Sequence, residues 1–174
     1  MMELKSTDIA EKVAGLKVGD RVLLSGTIYT ARDAAHKRIV ELMAKKEKLP
    51  FELKNSIIYY CGPAPAKPGN IVGSCGPTTS ARMDMYTPLL FSMGVKATIG
   101  KGKRSAEIAK AAKKHKAVYF AVTGGVGALL SQKVRMQELV AFKELGPEAV
   151  YKFVVLDFPL IVAVDSNGNS IFED

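Results

Sequence analysis

The sequence predicts an α/β domain, because segments typical of buried strands alternate with segments of helical periodicity along most of its 174 residues. Two further observations indicate that the chain is one folded domain. Apolar residues make up 48% of the chain and charged residues 24%, which favours a folded globular domain over a disordered or fibrous one. No internal repeat or low-complexity linker divides the chain, so we expect one domain over residues 1–174.

The first strand and the first long helix are predicted between residues 21 and 48. The run Arg21–Tyr29 is apolar and follows a Gly19-Asp20 turn signal, and Thr30 is placed to cap a helix over residues 31–48. The apolar face of this helix would include Ala35, Ile39, Leu42 and Met43. A second, short strand is expected over Ser56–Tyr60.

A second helix is predicted over residues 79–93. Its expected apolar face has a repeat of four residues and comprises Ala81, Met85, Leu89 and Met93. Pro88 lies inside this segment, so a kink or break in the helix is expected there.

The remaining elements continue the alternation and then change to strands. We expect, in chain order, a strand at 97–99, a helix at 105–115, a strand at 117–123, a glycine turn at 124–127, strands at 150–156 and 160–164, and a turn at 166–169. The last two strands and the final turn indicate hairpin strands added to an α/β core.

The charge of the chain is concentrated in one segment. Lys and Arg number 25 against 17 Asp and Glu, a formal net charge of +8, and the segment 96–116 holds eight of these bases against one acid, Glu107. Such a surplus is compatible with a polyanion or a small anion as partner, or with a solvated helix face. No aromatic residue is interleaved in this segment to stack on bases, so we expect no nucleic acid partner.

The two cysteines, Cys61 and Cys75, form no CxxC pair, and a four-iron cluster needs at least three thiolates or other ligands placed with them. We therefore expect both thiols to be buried and structural, with no metal held by this chain. The start at Met1 lacks a long apolar run and no apolar segment reaches the roughly 18 residues of a membrane span, which favours the cytoplasm and no membrane partner.

The segment Gly76–Arg82 is the first candidate site. A glycine-rich turn with hydroxyls at a helix start offers free N–H groups to a carboxylate or phosphate, and Thr78, Thr79 or Ser80 could cap while Arg82 forks onto a carboxylate. The alternative is that the hydroxyls only cap a helix and that Arg82 is a surface residue.

Two other segments carry candidate cations. Arg32 and His36 stand four residues apart in the predicted first helix, so one helix face could bind and protonate an anion, or simply be solvated with Asp33 paired to Lys37. Lys101 lies between two glycines after a predicted strand, which would let an anion approach closely. The glycine turn at 124–127 lacks dinucleotide-binding spacing and either lines a site or packs closely.

Taken together, five segments resemble the β subunit of the class I, iron–sulfur-dependent fumarate hydratase and L-tartrate dehydratase family. They occur in family order: GDRVLLSGTIYTARDAAHKR (19–38), YYCGPAPAKPG (59–69), GSCGPTTSARMD (73–84), IGKGKRS (99–105) and AVTGGVGALL (121–130). The resemblance implies a swivelling β/β/α three-layer domain, equivalent to the C-terminal part of single-chain members. It also implies a [4Fe-4S] cluster held by a partner α subunit and an α2β2 assembly.

The resemblance also assigns roles to residues of this chain. Arg32, Arg82 and Lys101 match substrate-carboxylate contacts, with Thr79 beside them, and Thr78 matches the threonine proposed to move the C3 proton. Because a threonine hydroxyl is a weak base, activation by an acid of the partner subunit is implied. His36 matches a position treated as catalytic in the tartrate branch.

The resulting hypothesis is a hydro-lyase subunit, active only with its α subunit, that hydrates fumarate reversibly to (S)-malate. The alternatives are the β subunit of an L(+)-tartrate dehydratase and, in another class, a basic nucleic-acid-binding or regulatory anion-binding domain without catalysis.

Overall fold

Seven strands form one mixed sheet in the computed structural model, which describes residues 1–122 and 125–172. The strands are β1 (Met2–Lys5), β2 (Arg21–Thr30), β3 (Ile57–Tyr59), β4 (Ala97–Gly100), β5 (Val118–Ala121), β6 (Val134–Ala141) and β7 (Val150–Val164). Their order in the sheet is β1-β2-β3-β4-β5-β7-β6. Strands β1 to β5 pair in parallel, whereas β7 runs antiparallel to β2, β5 and β6. The α/β class is therefore confirmed.

Strand β7 curls the sheet, because it pairs with β2 as well as with β5. The prediction of two separate strands at 150–156 and 160–164 is wrong, since one strand runs through both. Asp157 between them has a positive φ of 51°, and the pairing register with β2 shifts between Leu24 and Gly26. A bulge thus absorbs the residues that were expected to end the strand.

In the described ranges, five α-helices accompany the sheet: α1 (Ile9–Lys12), α2 (Asp33–Ala44), α3 (Thr87–Ser92), α4 (Ala106–His115) and α5 (Gly127–Ser131). The helix predicted at 31–48 is α2, but Thr30 does not cap it. Thr30 is the last residue of β2, and its Oγ1 accepts a hydrogen bond from the Tyr151 backbone N–H at 3.1 Å. Arg32 takes the N-cap position instead.

The helix predicted over 79–93 is in fact two elements. A 3-10 turn covers Ser80–Met83, and α3 starts only at Thr87, with Pro88 in its first turn. The break changes the helical phase, so the expected apolar face is exposed, with Met85 77% accessible. The buried side chains of this region are instead Met83, Leu90 and Phe91.

Both faces of the sheet are covered. Ile57 and Tyr59 belong to one core cluster, whereas Ile58 and Tyr60 belong to a second one that also contains apolar residues of α2, α3 and α4. This alternation follows from the two-residue period of a strand. Neighbouring side chains from Ile57 to Tyr60 therefore point to opposite faces of the sheet and pack in different core clusters.

The remaining predictions largely hold. The expected strand, helix and strand between 97 and 123 are β4, α4 and β5, while Thr123 and Gly124 of the predicted strand and glycine turn lie outside the described residues. The turn at 166–169 is confirmed, with the Asp165 carboxylate accepting hydrogen bonds from the N–H groups of Asn167 and Asn169. Within the described ranges, none of the helices is both long and apolar enough to cross a membrane.

Candidate active site

The candidate residues gather at one edge of the sheet, where the parallel strands β2, β3 and β4 end. Arg32 follows β2 after one intervening residue, Tyr60 follows β3, and Lys101 follows β4 directly. The carboxyl ends of parallel strands share an edge, which is the usual place for ligands in such sheets. The Thr78 backbone N–H donates to the Tyr60 carbonyl at 2.7 Å and so joins this edge from a distant loop.

Two loops, the Thr78 loop (residues 76–82) and the Lys101 loop (residues 101–105), are paired along their backbones. Thr79 and Lys101 form an isolated parallel bridge, and the Ser80 N–H donates to the Lys101 carbonyl at 3.0 Å. Thr79 is exposed, whereas Thr78 and Lys101 are half-buried. Two segments separated by some twenty residues are thus fixed next to each other, as a common site requires.

Asp33 holds the two arginines of the site together. Its carboxylate accepts from Arg82 Nε at 2.9 Å and from Arg82 Nη2 at 3.3 Å, and it also accepts from Arg32 Nε at 3.2 Å. The hydrogen bond from Arg82 is the main reason that the pKa of Asp33 falls to about 2. Arg32 Nε lies 3.1 Å from Glu148 Oε1 as well. The carboxylate stays ionised and keeps both guanidinium groups at this edge.

Arg82 also contacts the candidate proton-transfer group. Its Nη2 donates to Thr78 Oγ1 at 2.7 Å. A guanidinium that donates to a hydroxyl oxygen stabilises negative charge on that oxygen, so it makes the hydroxyl a better proton donor. Arg82 is a surface residue, as the alternative expected, with 46% of its side chain exposed, and it is paired with Asp33 and Thr78.

His36 lies on a different side of its helix from the arginine expected to share its face. Arg32 is the N-cap residue with extended backbone, whereas His36 is in α2 with no exposed surface, packed against the rings of Tyr60 and Tyr86. Its Nδ1 donates to the Arg32 carbonyl at 2.9 Å, and its Nε2 has no hydrogen-bond partner in the described part of the chain. Burial lowers the pKa of His36 to about 4, so the ring is neutral. Contact between His36 and a substrate stays a prediction that this burial does not favour.

Two glycines, Gly62 and Gly127, allow the loops around the site to approach one another. A Cβ on Gly62 would lie 3.1 Å from Arg32 Cδ, and a Cβ on Gly127 would lie 2.4 Å from Ser74 Oγ and 2.8 Å from the Gly76 nitrogen. The described end of the glycine turn therefore packs on the loop that leads to Thr78. Close packing accounts for Gly127, the last residue of the glycine turn, without a ligand.

Sequence reasoning missed several residues that build this edge. Glu148 lies far along the chain from Arg32, in a 3-10 segment over Lys143–Glu148, and no local pattern marks it. Asp33 was noticed only as a partner for Lys37. Arg104 was counted with the basic segment, although it is buried and paired with Asp84. The one signal available for Arg104 was its place in the segment IGKGKRS, four residues after the end of β4.

The cysteines of this chain do not fit an iron–sulfur cluster. Cys61 and Cys75 are buried, and burial raises the pKa of Cys61 well above its ordinary value and that of Cys75 to about 12. Cluster iron is bound by thiolates, which these surroundings disfavour. Over residues 1–122 and 125–172, no three His, Cys, Asp or Glu side chains are grouped to hold a metal ion.

The cation cluster does not line either of two grooves on the surface. A groove of about 470 Å³ is lined mainly by apolar side chains such as Val126 and Leu129, and one of about 750 Å³ lies between residues 64–74 and 128–135. Neither groove is lined by Arg32, Thr78, Arg82 or Lys101. The cations and the Thr78 hydroxyl thus lie outside both grooves.

Fold and site together define an α/β domain that gathers arginines, a lysine and a threonine hydroxyl at the ends of its parallel strands. The family model described as Fumarase C-terminus matches residues 1–174, and the chain belongs to this family.

Three relatives agree with the family assignment. A Methanocaldococcus jannaschii protein provisionally named L(+)-tartrate dehydratase subunit beta is 46% identical over 99% of this chain and 92% of its own length. Fumarate hydratase 2 of Leishmania major is 43% identical over 94% of this chain, and the anaerobic class I fumarate hydratase of Escherichia coli is 40% identical over 95%. The chain spans only 29% and 31% of the length of these two enzymes.

Proposed function

We propose that this chain is the β subunit of a two-subunit class I fumarate hydratase, which hydrates fumarate reversibly to (S)-malate. We propose further that residues 1–174 form one swivelling β/β/α three-layer domain, that it works in the cytoplasm, and that it assembles with an α subunit as α2β2. The family membership supports the reaction class, and the M. jannaschii relative, named as a subunit beta and matched over 99% of this chain, supports an α subunit as partner.

The observation that carries this proposal is the linked set Arg32, Asp33, Arg82 and Thr78. Planar guanidinium groups match the geometry of carboxylates, and a dicarboxylate has one such group at each end. In our proposal Arg32, Arg82 and Lys101 bind the substrate carboxylates, and the exposed Thr79 adds a hydroxyl contact. Asp33 keeps the arginine side chains from turning into solvent before the substrate arrives.

Thr78 is proposed to exchange the proton at C3. In the hydration direction its hydroxyl gives a proton to that carbon, and in the dehydration direction its oxygen takes the proton back. The hydrogen bond from Arg82 Nη2 supports both steps, because it stabilises the oxygen when it carries negative charge. A threonine remains a weak base even so, and we propose that an acid of the α subunit completes its activation.

His36 enters the proposal through the backbone only. Its ring is buried and donates to the Arg32 carbonyl, so it supports the residue that begins α2. A direct proton transfer by His36, as proposed for the tartrate branch, would need a conformation in which its ring is exposed.

The [4Fe-4S] cluster is assigned by this proposal to the α subunit. The two buried thiols of this chain do not suit iron, which supports a cluster whose ligands come from elsewhere.

A second candidate is the β subunit of an L(+)-tartrate dehydratase. It is favoured by the M. jannaschii relative, which matches nearly the whole of both chains. Both candidates act on four-carbon dicarboxylates, so they share the proposed arginine contacts. They differ in the number of substrate hydroxyl groups that the site must accept, since tartrate has two and malate has one.

The deciding experiment is anaerobic co-expression with an α subunit, reconstitution of iron and sulfide, and assay of fumarate, (S)-malate and the tartrate enantiomers. Turnover of fumarate and malate supports the first candidate, and turnover of L(+)-tartrate alone supports the second. An intact cluster with no dehydratase activity on any of these substrates would refute both. In that case, salt-dependent binding to DNA or RNA would favour a nucleic-acid-binding domain.

A further inference from the structure

Arg104 is a buried cation that the proposed reaction does not use directly. Its side chain is 1% exposed, and its Nε donates to the Asp84 carboxylate, whose own side chain is 16% exposed. Its Nη2 donates to Thr87 Oγ1 at 2.9 Å and to the Tyr60 hydroxyl at 3.4 Å. The guanidinium carbon also lies 5.3 Å from the centre of the Tyr60 ring and 4.7 Å from that of Tyr119.

A buried ion pair of this kind is an expensive way to stabilise a fold. Removing a guanidinium and a carboxylate from water costs several kcal/mol per ion by general rule, and apolar side chains of similar volume often serve stability equally well. A planar group with several donors does, however, hold its neighbours in one arrangement. The hydrogen bonds of Arg104 therefore indicate that this residue holds neighbouring segments of the chain in position.

The groups that Arg104 holds are the two loops of the candidate site. Asp84 follows the Ser80–Met83 turn that contains Arg82, and its carboxylate also accepts from the Ser105 N–H at 2.8 Å. The Tyr119 hydroxyl donates to the Gly102 carbonyl at 3.0 Å and accepts from Ser80 Oγ at 3.0 Å. Through these hydrogen bonds, Arg104, Asp84 and Tyr119 connect the Thr78 loop to the Lys101 loop.

The packing at this point leaves no room for adjustment. A Cβ on Gly100 would lie 1.9 Å from Ser80 Oγ and 2.9 Å from Tyr60 Cδ2. The backbone just before Lys101 is therefore in direct contact with the Ser80 side chain. A small change under the two loops would be transmitted to Thr78 and Lys101.

We propose that Arg104 is a positioning residue of the carboxylate site, which fixes the Thr78–Arg82 segment against Lys101 through Asp84, Tyr60 and Tyr119. Its consequence for catalysis rests on the proposed hydro-lyase function. The fixed spacing of the two loops does not rest on that function and can be measured without turnover.

The first measurement is amide hydrogen exchange in the full chain. Four N–H groups report on the loops: Thr78, Ser80, Asp84 and Ser105. The variant Arg104→Lys keeps the positive charge but loses the planar guanidinium group with its several donors. In this variant the four amides should exchange about tenfold faster or more than in the wild type. Tyr119→Phe keeps the ring under Arg104, removes the hydrogen bonds to Ser80 and Gly102, and should show a smaller increase at the same amides.

Ser56→Ala is the matched control, because Ser56 Oγ donates one buried hydrogen bond to the Leu53 carbonyl before β3, at the opposite edge of the sheet. It should leave the four amides unchanged once global stability is taken into account. Wild-type exchange at these amides in both Arg104→Lys and Tyr119→Phe would overturn the proposal.

The second measurement is steady-state kinetics of the reconstituted complex. Arg104→Lys should lower kcat/KM by about 100-fold, mostly through kcat, because misplaced catalytic groups lose orientation more than affinity. Loosened loops with unchanged kcat/KM would overturn the positioning role. If the wild-type complex turns over none of the dicarboxylates, the proposed function fails, and the exchange experiment alone decides the role of Arg104.

Discussion

Protonation of His36 should destabilise this protein as the pH falls below neutrality. The ring is fully buried, its Nδ1 donates to the Arg32 carbonyl, and its Nε2 faces no hydrogen-bond acceptor among the described residues. A second proton would place a charge in the core with no partner to receive it. The replacement His36→Met removes the titrating group while keeping a side chain of similar volume.

The sign and size of the effect follow from the two pKa values. Burial lowers the pKa of His36 from 6.5 to about 4 in the folded state, so the unfolded chain binds the proton more readily. Stability is therefore complete above pH 6.5 and is lost as the pH falls from 6.5 towards 4. The loss from this residue is about 2 kcal/mol between pH 7 and pH 5, and roughly 3 kcal/mol once the pH is below 4.

Urea unfolding followed by circular dichroism at pH 7 and pH 5 measures this loss. The free energy of unfolding of the wild type should fall by about 2 kcal/mol more than that of His36→Met, since the carboxylates titrate in both proteins. His115→Gln is the comparison, because partial burial also lowers the pKa of His115 at the end of α4, and this variant should change the pH dependence less than His36→Met does. Equal losses in the wild type and His36→Met would refute the reasoning.

Three further predictions concern the site. Thr78→Ala should lower kcat of the reconstituted complex by about 100-fold or more with little change in KM, and unchanged kinetics would remove Thr78 from the mechanism. Asp33→Asn should lower kcat/KM by roughly tenfold or more because Arg32 and Arg82 lose their common carboxylate; a lower KM with the same kcat would mean that Asp33 only competes with the substrate. Gly127→Ala should destabilise the chain by about 1 to 3 kcal/mol in thermal or urea unfolding because its Cβ would meet Ser74 and Gly76, whereas Gly15→Ala, with open space around it, should not.

The α/β class and most elements were accessible from the sequence because hydrophobic periodicity is a local property. The strands at β2, β3, β4 and β5 and the helices α2 and α4 were each expected within a few residues of their observed bounds. The strands β1 and β6 were not predicted. Strand β6 is amphipathic and mostly exposed, with no buried run that would mark it.

The errors in the fold arise where a long-range contact overrides a local pattern. Thr30 has the residue type of a helix cap, but pairing of β2 with β7 uses its hydroxyl for the Tyr151 N–H. The repeat at Ala81, Met85, Leu89 and Met93 is regular, yet Ser80 pairs with Lys101, only a 3-10 turn forms over Ser80–Met83, and α3 starts late with that face exposed. Local propensity is a weak prior when tertiary pairing competes with it.

The candidate site was partly accessible from the sequence. Glycines, hydroxyls and cations after strand ends identified the segments of Arg32, Thr78, Arg82 and Lys101, and the topology places these segments at one edge. The sequence could not show that Asp33 joins the two arginines, because that depends on how α2 and the Thr78 loop face each other. His36 looked equivalent to Arg32 by spacing, but the N-cap geometry of Arg32 directs the two side chains apart.

The sequence by itself determined the fold class, the family resemblance and the segments that carry the cations, since these depend on residue types and their order along the chain. The tertiary structure decided which charges act together: Asp33 with Arg32 and Arg82, Glu148 with Arg32, and Arg104 buried under both loops. The physical reason is that ion pairs and burial depend on distances between segments that are remote in the chain. Of the eight bases in the segment 96–116, the structure buries one, Arg104, which belongs to the segment IGKGKRS but had no role assigned from the sequence.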